Sequence, residues 1–433
     1  MCSSDLQRDH VTALADHDLD LTAKQADLAV ASDRAAMAKV ATPATVRQAV
    51  LSLMRDSLGK FPGVTPPSLN LFCGDATSDA APVDTFARST SGTRFGQTGL
   101  IETVAAGNVR REWDATGNLL GWLLEDSRTN VVLYCRDLTN AVWTKTNCTS
   151  ALSQTGIDGA ASSASLLTAT AGAATCLQTI TLASSTRFQT AFLKRITGSG
   201  AVSMTMDGGT TWTDITAQLS TTAWTRIAIA SQTLANPSVG FKLATSGDAI
   251  AIDGVQNTAG TYQTSFILTT SSAVARASDV WTHTVASSWF KSEAGTLFIA
   301  GDTAPGLPPS GASQVLAMLD DGTSSNRIYI YRAPTGALYC AISISGTTAA
   351  NITIGTIENS MPFKLALSWS SSFVHISLNG TTVIGPSIAL SIILTTLRLG
   401  LSISGSALWN GHIRHLAYFP VALSDTQLQA ITL

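Results

Sequence analysis

From Leu69 to the C-terminus helical periodicity nearly disappears, and that loss constrains the fold more than any other feature of the chain. Short runs of alternating apolar and polar residues take its place, separated by Gly, Asp, Asn and Ser: SMTMDGGTTW (203–212), VGFKLATSGDAIAIDG (239–254), RIYIYR (327–332) and FVHISLNGTTVI (373–384). A period of two sends successive side chains to opposite faces, so these runs make strands with one face inside. In the last run Val374, Ile376 and Leu378 point one way, and Asn379-Gly380 is a strong two-residue hairpin signal. Strands at this spacing predict antiparallel sandwiches. The hydrophobic content of 45% against 13% charged residues suits sandwiches with Ser/Thr/Gly-rich outer faces better than a helical enzyme. The expected fold class is mainly β, with two antiparallel β-sandwiches (jelly rolls) preceded by an N-terminal helical segment.

A chain of 433 residues exceeds what one core usually serves, so two or three domains are expected. The first sixty residues read differently from the rest. Leu14, Leu21 and Leu28 recur at seven-residue spacing and Ala35 continues the series, which is half of a coiled-coil seam. The other half, Val11 followed by Asp18, Gln25 and Ser32, is poor. The segment is therefore either one strand of an oligomer or a solvated single helix. A second helix is predicted over 42–58, capped by Thr42 with Pro43 in its first turn, with Val46, Ala49, Val50, Leu53, Met54 and Leu58 on one face and Gly59 at its end. KFPGVTPPS (60–68) then reads as a stiff connector. RASDVWTHTVASSWFKSE (276–293) interrupts the strand pattern and sets the boundary between two sandwiches. The division expected is 1–60 helical anchoring and oligomerisation segment, 61–120 connector and lead-in strands, 121–282 first sandwich, and 283–433 second sandwich.

Several function classes find no support. A net charge of −3 gives no electrostatic reason to expect nucleic acid. The longest greasy run, 388–403, carries Arg398 and is shorter than the roughly 20 apolar residues a bilayer span needs, so it reads as buried strands and no membrane insertion is expected. The N-terminus lacks the basic flank and apolar stretch of a signal peptide, which implies synthesis in a cytosol. The six cysteines are scattered without CxxC pairs and read as small buried hydrophobes. DHDLDLTAKQAD (16–27) places Asp16, Asp18, Asp20 and Asp27 as in a calcium-binding loop, but Leu21 stands where the turn requires glycine and Asp27 where a bidentate Glu belongs. His412 and His415 lie three apart in a predicted strand, hence on opposite faces, and cannot share a metal. No GxSxG, HExxH or phosphate-binding loop occurs, and Glu102, Glu112, Glu125, Glu293 and Glu358 are the only glutamates. An enzyme is not expected. Aromatic side chains are the remaining handle, since sugar rings stack on exposed indoles and phenols. Trp143, Trp212, Trp224, Trp369 and Trp409 are candidates, each beside a strand where an indole more often fills the core. Tyr329 and Tyr331 oppose Ile328 and Ile330 on their strand, so one pair lies inside and the other outside. Tyr329, Tyr331, Trp212 and Trp409 are the candidate glycan contacts.

GWLLEDSRTNVVLYCRDLTNAVWTKTN (121–147) carries a polar knot between apolar runs. Its Gly121, Leu123, Glu125, Arg128, Thr129, Asn130 and Trp143-Thr144-Lys145 resemble a recurring passage of bacteriophage structural proteins. The lead-in TFARSTSGTRF (85–95) and GLIETVAAGNVRREWDATGNLLG (99–121) resembles theirs as well. Downstream, FLKRITGSGAVSMTMDGGTTW through TYQTSFILTTSSAVARASD is similar to the carbohydrate-binding-module-like jelly roll of such proteins. The stretch from GTLFIAGD (295–302) to LWNGHIRHLAYFPVALSDTQLQAIT is similar to a concanavalin A-like (laminin-G-like) lectin domain. The resemblance implies that Glu125, Arg128 and Asn130 form a structural corner, with Glu125 and Arg128 tying the turn by a charge-assisted bond. It implies a virion appendage, a fibre or spike, that meets host cell-surface polysaccharide. The subunit would be made in the host cytoplasm and assemble on the virion surface as a homo-oligomer, a trimer, through Leu14, Leu21, Leu28, Val46, Val50 and Leu53. A glycan depolymerase and a capsid-decorating protein are the alternatives. No cofactor is expected; the use of calcium by laminin-G-like domains makes Asp320 or Asp321 the residues to inspect.

Overall fold

The computed structural model describes Phe61 and residues 64–75, 85–306, 312–388, 390, 392–405 and 407–433. The expected N-terminal helices, the Asp16–Asp27 stretch and the anchoring candidates Leu14, Leu21, Leu28, Val46, Val50 and Leu53 lie outside the described residues. Within them the chain is mainly β, and every paired strand runs antiparallel to its neighbour.

Two sandwiches result. In the larger, a front sheet runs in the order Thr85–Ala87, Val280–Thr284, Thr396–Leu399, Gln314–Asp320, Arg327–Arg332, Ala337–Ile344, Thr347–Thr356. Its back sheet runs Thr381–Ile384, Val374–Leu378, Phe363–Trp369, Gly295–Gly301, Gly411–Phe419, Leu119–Leu124, Arg110–Trp113, and Leu69–Phe72 also pairs with Gly411–Phe419. Trp281, Leu319 and Ile330 of the front sheet share one core with Leu297, Leu367, Ile376 and Leu416 of the back. In the smaller sandwich the sheet containing Ser185–Thr197 and Ala249–Ala259 faces the sheet containing Ser238–Leu243 and Ala174–Thr179, with Leu193 and Ile252 packed against Phe241 and Cys176. The Asn379-Gly380 hairpin forms as its sequence requires: both residues have positive φ, 47° and 77°, which matches the twist of the flanking strands.

The sandwiches are nested, where the sequence suggested succession. Leu69–Phe72 and Leu119–Leu124 both bond to Gly411–Phe419, with Leu69 opposite Tyr418 and Leu123 opposite His412. Thr85–Ala87 joins Val280–Thr284, with Phe86 opposite Trp281. Residues read as a connector and lead-in thus complete the larger sandwich, and Val280–Thr284, read as the end of the first domain, belongs to it too. The smaller sandwich is an insertion between these parts. Its two crossings lie side by side, because Arg128–Asn130 pairs with Val274–Arg276. Strand partners separated by some 300 residues leave no local trace, so the nesting is invisible to periodicity.

A fragment beginning at residue 283 lacks Leu69–Phe72, Thr85–Ala87, Arg110–Trp113 and Leu119–Leu124 and bares the bonding edge of Gly411–Phe419. It is expected to aggregate or to lack a near-ultraviolet circular dichroism signal. A chain in which a short Gly-rich linker replaces residues 131–272 is expected to keep that signal. Native-like spectra from the 283–433 fragment alone would contradict the nesting.

The 388–403 run is corrected in part. Thr396–Leu399 is its one described strand, inserted between Val280–Thr284 and Gln314–Asp320, while Ile393 is 80% exposed. Phe61, in the supposed connector, docks on the back sheet within 5.0 Å of the Phe298 ring and 4.8 Å of the Phe419 ring, centroid to centroid. Cys73, Cys135, Cys176 and Cys340 are buried, and Cys148 is half-buried. Among the described residues no helix is long and apolar enough to cross a membrane.

Candidate glycan-binding face

Strand Arg327–Arg332 alternates as RIYIYR predicts: Ile328 and Ile330 are buried in the core, Tyr329 and Tyr331 are half-exposed on the outer face of the front sheet. The neighbouring strand brings a third phenol that the sequence reading missed. Tyr339 sits directly opposite Tyr331, and the rings lie 5.3 Å apart at 18°. Tyr329 and Tyr331 are also 5.3 Å apart, at 24°. Rings this close and this parallel overlap in an offset stack. Arg327 closes one end with its guanidinium 4.7 Å from the Tyr329 ring centre, a cation–π contact.

The row Arg327–Tyr329–Tyr331–Tyr339 therefore spends much of its ring surface on itself. What remains for a ligand is a line of ring edges and phenolic hydroxyls ending in a guanidinium. The Tyr331 hydroxyl donates at 3.4 Å to Asn351 Oδ1 on Thr347–Thr356, the strand beyond that of Tyr339, extending the polar line. Burial, above all, raises the Tyr331 phenol from its ordinary value, so it stays neutral and a donor near pH 7. Among the described residues Arg327 has no carboxylate partner; its Nε reaches only the Ser343 hydroxyl at 3.5 Å. Such a surface can donate to and accept from hydroxyls and can meet a negative group at one end.

The other candidates separate. Trp212 is half-buried on the smaller sandwich, under the Lys242 ammonium at 5.6 Å, and stands far along the chain from the tyrosine row. Trp409 is fully buried: it donates from Nε1 to the Asp302 carbonyl at 3.1 Å and packs edge-on to Phe363. It is a core residue, and its candidacy as a glycan contact is withdrawn. Trp143 and Trp369 are buried as well. Asp320 is buried under Arg398, which reaches it at 2.6 and 3.2 Å, and Asp321 is occupied by Thr323 and Asn326. Both are committed to holding their own turn.

The Glu125 corner is structural, but its partners differ from the expected one. Glu125 ends Leu119–Leu124 where the chain leaves the larger sandwich, and Asp279 precedes Val280 where it returns. Arg110 bridges them, 2.7 Å to Glu125 and 2.5 Å to Asp279; Arg88 lies 3.0 Å from Asp279 and Arg276 2.9 Å from Glu125. Ser265, from the inserted sandwich, donates its N–H to Glu125 at 2.5 Å and its hydroxyl at 2.7 Å. Burial alone would raise the Glu125 carboxyl; Arg276, Arg110 and the Ser265 donors outweigh it and bring the group down to about 2. Arg128 pairs with Asp126 instead, and its guanidinium covers the Tyr262 ring at 4.7 Å. Asn130 is fully satisfied: Nδ2 donates to the carbonyls of Val255 and Ile267, and Oδ1 accepts from the N–H groups of Val132 and Asn257. The corner clamps both crossings of the nested fold.

His412 and His415 point apart, as alternation requires. His415 meets Asn70 at 2.6 Å and a ring cluster around Phe61, and burial pushes it down to about 4. His412 is held between Asp302 at 2.7 Å and Glu112 at 2.8 Å. Burial opposes its charge, but the two carboxylates prevail and raise it to about 10. A cleft of about 290 Å³ opens beside Lys364, Asn379 and Arg414 on the back sheet, away from the tyrosines.

No protein-family model and no curated protein matches the chain. Among solved structures, the CBM40 of the Ruminococcus gnavus IT-sialidase bound to alpha2,3 sialyllactose aligns at 19% identity and TM-score 0.28, over 33% of this chain and 83% of its own. The native heptameric SAP-like pentraxin from Limulus polyphemus aligns at 16% and 0.25, over 32% and 68%. Chicken Galectin 2 aligns at 13% and 0.23, over 30% and 92%. Scores this low do not define a fold relationship, and the sandwich class of this chain rests on its own strand order.

Proposed function

We propose that the larger sandwich is a glycan-binding domain whose contact surface is the row Arg327, Tyr329, Tyr331 and Tyr339. One observation carries the reading: three phenols are aligned on the outer face of one sheet, half-exposed, with a guanidinium at the end that has no carboxylate partner among the described residues. A core uses aromatic rings inside; a sheet that exposes three in register is built to touch something.

The wider reading is a phage virion appendage. The N-terminal segment attaches to the particle and joins subunits into a trimer, and the sandwiches meet host polysaccharide. Its support is the resemblance of residues 69–433 to phage particle proteins and the half heptad of Leu14, Leu21 and Leu28. Single-site sugar contacts are weak, and three copies on one particle add by avidity. The protein is proposed to bind and not to cleave. Release of reducing ends from host capsule or lipopolysaccharide would favour the depolymerase alternative instead.

The test is binding of the purified full chain to fragments of host surface polysaccharide. Tyr331→Ala, which removes the central ring of the row, is expected to weaken binding about tenfold (~1.4 kcal/mol), with the melting temperature nearly unchanged. Trp409→Phe is expected to alter stability without selective loss of sugar. Unchanged affinity in Tyr331→Ala and in Tyr339→Ala would remove the proposed surface.

A further inference from the structure

The cleft on the back sheet is floored by Ala300, whose strand Gly295–Gly301 runs between Phe363–Trp369 and Gly411–Phe419. Lys364 sits directly opposite Ala300 on one side. On the other side Ala300 pairs with His415 and Gly301 with Ile413, so Arg414 is the extra residue of a bulge, a device that re-aims a side chain. Strands two places apart in a sheet lie about 10 Å from each other, so two long cationic side chains stand across a single methyl group. The helix Asp425–Thr432 covers Ala366 and Ala417 of the same face through Leu428 and Ile431. The cleft opens where that helix ends, at Thr432 and Leu433.

Both cations reach solvent, and neither has a carboxylate partner among the described residues. Arg414 donates from Nε to the Leu120 carbonyl at 3.1 Å and from Nη2 to the Leu119 carbonyl at 3.0 Å. Those two bonds fix the guanidinium plane and leave its Nη1–Nη2 edge available. The Lys364 ammonium makes no hydrogen bond among the described residues, and the protein around it withdraws water, which lowers it from its ordinary value. Beside it Asn379 accepts the Lys364 backbone N–H at 2.8 Å through Oδ1 and keeps its amide N–H groups to offer. The one acidic side chain in the lining, Asp302, is already matched: its Oδ1 accepts from the backbone N–H of His412 at 3.1 Å and meets Nδ1 of that ring at 2.7 Å. Leu120, Pro362 and Leu433 make the rest of the wall largely apolar. At about 290 Å³ the cleft stands at the small end of the roughly 300–1,000 Å³ range of ligand pockets.

We propose that this cleft binds a small organic acid, a carboxylate carried on a short apolar body. Arg414 takes the carboxylate across its available edge in two parallel bonds, and Lys364 adds a second positive charge and a donor. The apolar body rests on Leu120, Ala300 and Leu433, where it removes carbon surface from water. Because both cations are open to solvent, entry requires no opening of the fold. The site lies on the back sheet, is separate from the tyrosine row and does not depend on it.

The experiment is calorimetric titration of the full chain with benzoate, acetate and benzyl alcohol, beside thermal melts. Benzoate is expected to give saturable heat, acetate to bind at least about tenfold more weakly, and benzyl alcohol to give no saturable heat. Lys364→Gln breaks no side-chain hydrogen bond of the fold, so it is expected to keep the wild-type melting temperature while losing about tenfold in benzoate affinity. Arg414→Gln is expected to abolish the benzoate heat, and its melt separates a lost site from a lost fold. Absence of saturable heat from benzoate at millimolar concentration overturns the proposal. So does acetate or benzyl alcohol binding as tightly as benzoate, or wild-type benzoate affinity in a folded Lys364→Gln.

Discussion

Replacing Arg110 by methionine is expected to lower the free energy of unfolding by about 3–5 kcal/mol, the usual effect of removing one member of a buried ionic network. Arg110 is fully buried and hydrogen-bonds both Glu125 and Asp279, whereas Arg276 lies 2.9 Å from Glu125 but 3.9 Å from Asp279. Without it, two buried carboxylates share what Arg88 and Arg276 supply. Those carboxylates sit at the exit from and the return to the larger sandwich, and Ser265 ties the inserted sandwich to the same Glu125. The loss is therefore expected to uncouple the two sandwiches as well as to destabilise them. Urea unfolding followed by tryptophan fluorescence would reveal a second transition in Arg110→Met where the wild type has one. Arg128→Met removes a largely buried pair, with side chains 12% and 17% exposed, but leaves Asp126 the Tyr262 hydroxyl as a donor, and is expected to cost less than Arg110→Met. Equal effects of the two substitutions would return the corner to the simple Glu125–Arg128 turn that the sequence suggested.

The second large effect is alkaline. His412 is raised from 6.5 to about 10 by Asp302 and Glu112, against the opposing influence of burial. A raised histidine contributes stability in full below its unfolded value near 6.5 and loses it as pH climbs through about 10. At roughly 1.4 kcal/mol per pH unit, the ceiling on that contribution is about 5 kcal/mol. Glu125 gives the opposite limb. Its folded value near 2 lies below the ordinary 4.5, so its contribution is complete above 4.5 and disappears as pH falls through 2. Stability is expected to be flat between these limbs and to decline on both sides. His412→Gln should flatten the alkaline limb and leave the acid limb in place. A wild-type melting temperature that holds steady from pH 6.5 to 10 would show that His412 is not held charged.

The sequence disclosed what depends on near neighbours. RIYIYR and Asn379-Gly380 encode face and turn within a few residues, and both appear as read. Tyr339 escaped notice because ALYCAISI reads as one apolar run, and only its pairing across from Tyr331 gives it meaning. Glu125 was recognised as a corner, but its cations stand 15 and 151 positions away, while Arg128 was merely close in sequence. Trp409 misled for a general reason: an indole next to a turn looks exposed until the opposite sheet covers it. Short-range chemistry was legible, and long-range pairing was not.

The central claim is that sugar meets the outer face of the front sheet. The direct measurement is a crystal structure of the protein with an oligosaccharide from the host surface. The account expects sugar density along Tyr329, Tyr331 and Tyr339, with its hydroxyls at the phenols and Asn351 and any acidic group at Arg327. Density confined to the back-sheet cleft beside Lys364 and Arg414, with the tyrosine row bare at saturating ligand, would contradict it.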